Sequence, residues 1–238
     1  MNDAMRSLNR REILGGGVLL GASLVLAGCN KKNRFVPLSD ADKEGPPHID
    51  LPPERQPYTR GNNSASTVSG VIPRREWTSS GPILSLINPM NGINRITVHH
   101  SAIISSTVGS KADAARMMDN VRRGHTSQGW ADIGYHYVID PSGRIWEGRP
   151  IQYQGAHVKE NNEHNLGVMC MGNFDVERPT PEMLQSLDMF VADRMRAYNI
   201  SVSRVYTHQE IKPTACPGRN LQGYMVATRS GSGRLARA

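Results

Sequence analysis

A chain of 238 residues has room for one core of ordinary size plus appendages, or at most for two small domains. Its 38% hydrophobic and 21% charged residues suit a soluble globular protein with polar tails. A net charge of +7 favours polyanionic partners, either an acidic cell-wall polymer or anionic lipid; without a Lys/Arg-rich recognition helix or an aromatic RNA-binding signature, nucleic acid is excluded as a partner.

In chain order, residues 1–28 read as an export signal. A basic start (Arg6, Arg10, Arg11) precedes an apolar run from Ile13 to Ala27 that is too short and glycine-rich for a membrane span. The run closes on Leu26-Ala27-Gly28-Cys29, which resembles the bacterial lipobox, so Cys29 is the expected lipidation site. Asn9-Arg10-Arg11-Glu12-Ile13-Leu14 also resembles a twin-arginine signal. Residues 29–70 hold six prolines and end in "GNNSASTVSG", a composition that predicts a disordered tether.

The folded part is expected over 71–226, as strands and helices in alternation. "NRITVHHSA" predicts a strand ending in two histidines. Ser110 to Arg123 predicts a helix, with Ala114, Met117, Met118 and Val121 on one face and Ser110 as its cap. "GYHYVIDPSGRIWEGR" predicts a hairpin turning at Asp140-Pro141-Ser142-Gly143, and "HNLGVMCMGN" a short apolar strand. "TPEMLQSLDMFVADRMRAYN" is the clearest helix, capped by Thr180 with Pro181 at its first position, and "RVYTH" is a last strand. The interleaving predicts an α/β domain with a central mixed β-sheet flanked by helices. Residues 227–238 read as a disordered tail.

Two histidines stand at the ends of apolar strands, His99 (or its neighbour His100) and His208. Cys216 follows His208 by eight residues. Together they offer two imidazoles and one thiolate, a set that suits zinc and leaves a fourth tetrahedral position open. Strand alternation sets His99 on the face opposite Ile96, Val98 and His100. Cys170, inside "GVMCMG", reads as a small buried apolar residue.

The blocks "IPRREW", "ITVHHSA", "DIGYHYVIDPSGRIWEGRP", "GAHVKENNEHNLGVMCMGNFD", "TPEMLQSL" and "HQEIKPTACPG" stand in one order between about Ile72 and Leu221. In that order they resemble zinc-dependent N-acetylmuramoyl-L-alanine amidases, the branch shared by phage lysozyme-type amidases and peptidoglycan recognition proteins. The resemblance implies a substrate groove across one zinc ion held by His99, His208 and Cys216. It implies Tyr135 as a catalytic residue. Thr214 stands where the phage enzymes carry lysine, and is expected to assist as a hydrogen-bond donor without a charge. His157 is expected to contact substrate in the groove, as are Arg149 and Asn165, which alternatively hold loops.

The function so implied is cleavage of the amide between N-acetylmuramic acid and L-alanine of the stem peptide, with peptidoglycan or muropeptides as partner. The expected enzyme is a monomer, exported and held by a lipid anchor facing the periplasm or cell wall. Two other readings share these residues. One is a non-catalytic peptidoglycan-binding module, which typically lacks the cysteine; the other is a metal-free cysteine hydrolase with a histidine base.

Overall fold

The computed structural model describes residues 70–238; the expected signal, Cys29 and the tether up to residue 69 lie outside the described residues. Six strands form one sheet: β1 (Val71–Ile72), β2 (Arg95–His100), β3 (Tyr137–Ile139), β4 (Ile145–Glu147), β5 (Asn165–Cys170) and β6 (Val205–Thr207). Their spatial order is β1-β4-β3-β5-β2-β6, and all neighbours are parallel except β3 and β4. Among the described residues three helices cover it: α1 (Lys111–Ser127), α2 (Pro181–Tyr198) and α3 (Arg219–Thr228). This is the mixed α/β sheet that the sequence predicts.

The period-2 alternation of each strand divides the core in two. Ile96 and Val98 of β2, Leu166, Val168 and Cys170 of β5, and Ile139 and Ile145 of the hairpin pack on one face with Leu187, Val191 and Met195 of α2 and Leu221 and Met225 of α3. Val138, Trp146 and Met169 face the other way, onto Trp77 and onto Ala114, Met118 and Val121 of α1. His99 and Thr97, on the same strand as Ile96 and Val98, therefore sit on the α1 face. Pairing of His99 with Met169 across β2 and β5 fixes that register. A slip by one residue would exchange the faces.

The predicted caps are present. The Ser110 hydroxyl accepts from the Asp113 amide at 3.1 Å while the Asp113 carboxylate accepts from the Ser110 amide at 2.8 Å, a reciprocal capping box. Thr180 caps α2 by accepting from the Met183 amide. In the β3–β4 hairpin, Gly143 takes φ 76° and one Asp140 oxygen accepts from the amides of Ser142 and Arg144.

Three features differ from the sequence expectation. α1 continues through Gly124 to Ser127, because His125 extends the buried face four residues beyond Val121 and accepts the Gly134 amide on Nδ1; that packing outweighs the low helix propensity of glycine. α3, marked in the sequence only by Leu221 and Met225, crosses the boundary expected at 226. The stretch 227–238 is not a loose tail: Leu235, 1% exposed, is inserted in the core beside α2.

Candidate metal centre

Three side chains from different parts of the chain meet at one end of the sheet. His99 comes from the carboxyl end of β2, and His208 from the first residue after β6, where a 3-10 turn (His208–Glu210) begins. Cys216 lies in the loop that follows. Backbone bonds hold that loop against His208: the Gln209 amide donates to the Cys216 carbonyl at 2.8 Å, and the Lys212 amide donates to the His208 carbonyl at 3.0 Å. Carboxyl ends of parallel strands are where open α/β sheets place their ligands, since the loops there leave a crevice on a rigid frame.

One ligand atom from each of His99, His208 and Cys216 lies within 4.8 Å of the others, and all three residues are buried. Cys216 Sγ is 3.5 Å from His99 Nδ1. Bonds of about 2.0–2.1 Å to nitrogen and 2.3 Å to sulfur at a tetrahedral angle require an N···S separation of about 3.6 Å. The donor set and the Cys216–His99 spacing therefore suit zinc. The His100 amide donates to Sγ at 3.4 Å, which favours the thiolate over the thiol. Burial holds the His99 imidazole well below its ordinary pKa, and the neighbouring rings of His208 and His157 push it the same way. A neutral imidazole is the ligand form.

Around this cluster stand Tyr135 and His157. The Tyr135 ring centroid is 5.1 Å from that of His99 and 6.3 Å from that of His157. The Thr214 hydroxyl accepts from the Cys216 amide at 3.2 Å, so it braces the ligand loop from two residues away.

The three residues expected to contact substrate are all buried, and Arg149 and Asn165 take the loop-holding alternative. His157 is 4% exposed, with one ring nitrogen 3.0 Å from His99 Nε2 and the other 3.2 Å from the Asn165 carbonyl oxygen. It packs behind a ligand and does not line an open groove. Arg149 is buried and donates to the carbonyls of Ile133, Gln154 and Asp132, which makes it a loop clamp; burial lowers its pKa to about 10, against the Asp132 charge that raises it. The Asn165 side chain ties β5 to β2 by accepting from the Thr97 hydroxyl at 2.8 Å, and donates to the Asn161 carbonyl. In each case a polar residue near the motif serves the frame rather than the cleft.

Two supporting groups had no role in the sequence reading. His136 accepts the Gly167 amide on Nδ1, and its Nε2 faces the Tyr153 carbonyl at 3.0 Å. Glu177 accepts from the amides of Ser105 and Asn173, joining the loop after β2 to the loop after β5. Only the histidine of "GYHY", His136, offered a signal, and one indistinguishable from a core residue.

The family model for N-acetylmuramoyl-L-alanine amidase matches residues 89–219, a span that includes His99, His208 and Cys216. Peptidoglycan-recognition protein SC1a of Drosophila melanogaster is 28% identical over 153 residues, which cover 63% of this chain and 81% of that protein. Among solved structures, peptidoglycan recognition protein-LE in complex with tracheal cytotoxin superposes with TM-score 0.58 at 30% identity, over 64% of this chain and 89% of that one. The N-acetylmuramoyl-L-alanine amidase LysC from Clostridium intestinale gives TM-score 0.55 at 26% identity, over 66% and 95%. The shared fold and the matched segment, which carries His99, His208 and Cys216 together, assign the chain: it belongs to the N-acetylmuramoyl-L-alanine amidase family.

Proposed function

We propose that the protein is a zinc-dependent N-acetylmuramoyl-L-alanine amidase, cutting the amide between N-acetylmuramic acid and L-alanine of the stem peptide. The observation that carries this reading is the convergence of two imidazoles and a thiolate with a separation that suits tetrahedral zinc. A structural zinc site would have four protein ligands, and three leave one position for water or substrate. Relatives named for peptidoglycan recognition, one of them solved with a muropeptide-type ligand, support the substrate class.

When bound, zinc supplies Lewis acidity, which polarises an amide carbonyl and eases the ionisation of water near neutral pH. The chain's own residues do the rest. Cys216 gives up its proton to become a ligand, and the His100 amide stabilises the resulting charge on sulfur. Tyr135, on the His99 face of the sheet, donates its hydroxyl to the amide oxygen as that oxygen gains negative charge. Thr214 holds the Cys216 amide and assists on the same oxygen. The net charge of +7 favours an acidic wall polymer, and Cys29 anchors the enzyme to the membrane that faces it.

The 3.5 Å contact between Cys216 and His99 would also serve a cysteine nucleophile with a histidine base. That reading needs an imidazolium at His99, which burial disfavours. Elemental analysis combined with a peptidoglycan digestion assay tests the choice. The zinc enzyme carries about one zinc per chain, and chelator abolishes its activity. An active metal-free protein, sensitive to iodoacetamide, overturns the zinc reading.

A further inference from the structure

Among the described residues that this mechanism leaves unused, His157 is engaged through both ring nitrogens beside a candidate ligand. Its Nε2 lies 3.2 Å from the Asn165 carbonyl oxygen, and its Nδ1 lies 3.0 Å from Nε2 of His99. A carbonyl oxygen only accepts, so the His157 proton resides on Nε2 and its Nδ1 carries a lone pair. The His99 proton then resides on Nε2 and points at that lone pair. What remains to His99 is the lone pair on Nδ1, the atom 3.5 Å from Cys216 Sγ. Each proton position follows from the one before, beginning at a backbone atom of β5.

The ring cannot easily turn out of this arrangement. A β-carbon at either Gly155 or Gly167 would come within 2.7 Å of His157 Nε2, so two glycines give the ring its place against the sheet. His136 meets it edge-on at a centroid distance of 5.8 Å. The His157 amide is itself held by Asn162 at 2.8 Å.

We propose that His157 is a positioning residue for the metal: it holds His99 in the Nε2–H tautomer and thereby presents the Nδ1 lone pair to the ion. The inference rests on the zinc reading above and goes beyond it, because it assigns a metal-affinity role to a residue that holds no metal. A neutral imidazole free of this contact populates both tautomers, and the Nδ1–H form has no lone pair facing Cys216. Groups that orient a ligating histidine typically change metal affinity 10–100-fold.

The test uses the full chain and three proteins: wild type, His157→Leu and His157→Asn. Leucine removes the acceptor, whereas the asparagine amide oxygen keeps one near the position of Nδ1. Zinc affinity, measured by competition with a chromogenic chelator, is expected to fall about 10–100-fold in the leucine variant and to stay within a few-fold of wild type in the asparagine variant. Long-range proton–nitrogen NMR of the metal-free wild type is expected to show His99 protonated on Nε2, a readout that needs no variant to fold. Equal zinc affinity in wild type and the leucine variant, equal loss in both variants, or a His99 proton on Nδ1 would each overturn the inference while leaving the zinc reading intact. A wild type that takes up no zinc overturns the zinc reading itself, and the inference with it.

Discussion

Tyr135 is the residue whose chemistry is most exposed to a single-atom test. Replacing it by phenylalanine keeps the ring beside His99 and removes only the hydroxyl. Zinc content and fold are expected to survive, with turnover on peptidoglycan reduced by about 10²–10³, the loss that follows removal of one oxyanion donor. Turnover at the wild-type level would return Tyr135 to the core, where most of its ring lies. At this scale the candidate ligands are legible in the sequence and their supports are not. His99 is marked in the sequence because alternation separates it from Ile96 and Val98. His157 carries no such mark: its burial depends on Gly155 and Gly167, which approach it only in the folded chain. Arg149 and Asn165 read equally as cleft residues or loop holders in a string of letters, and only their carbonyl and hydroxyl partners identify them as parts of the frame.

Among the elements, the carboxyl-terminal segment gives the sharpest prediction. Leu235 is fully inserted in the core cluster that also holds Leu187 and Met225, in a stretch whose glycine and serine content suggests a loose tail. Leu235→Ala removes buried methyl groups and leaves a cavity, so it is expected to cost about 2–5 kcal/mol of stability. Urea unfolding measures this, and an unchanged midpoint would mean that the segment contributes nothing. The same contrast explains which elements could be read from sequence. α1 and α2 announce themselves by caps and by four or more apolar residues at helical spacing, and the hairpin by its Asp-Pro-Ser-Gly turn. α3 buries two such residues over ten positions, and the final turn one over three, too few for periodicity to register.

For the molecule as a whole, burial of neutral histidines sets the acid limb of stability. Burial lowers His125 to about 3 and His136 to about 4. On unfolding each returns towards 6.5, so between those values the unfolded chain binds more protons and stability rises with pH. The contribution is complete above about 6.5 and is lost as pH falls from there towards 4 for His136 and 3 for His125, with a limiting slope of about 1.4 kcal/mol per pH unit for each group. Urea midpoints of chelated protein at successive pH values between neutrality and the acid side check this, and a flat profile would contradict it. The proposed membrane anchor is likewise tested on the full chain. Fatty-acid labelling is expected to mark the wild type and to be absent from Cys29→Ala; equal labelling of the two would remove the anchor.

The proposed zinc amidase cuts one particular bond. Digestion of purified peptidoglycan by the zinc-loaded protein, followed by identification of the new amino termini, reads that bond directly. The expected products are stem peptides that begin with free L-alanine, released by wild type and not by Cys216→Ser. Zinc-loaded wild-type protein that binds peptidoglycan but releases no such peptide would contradict the proposal, and would make the chain a recognition module that has kept its ligands.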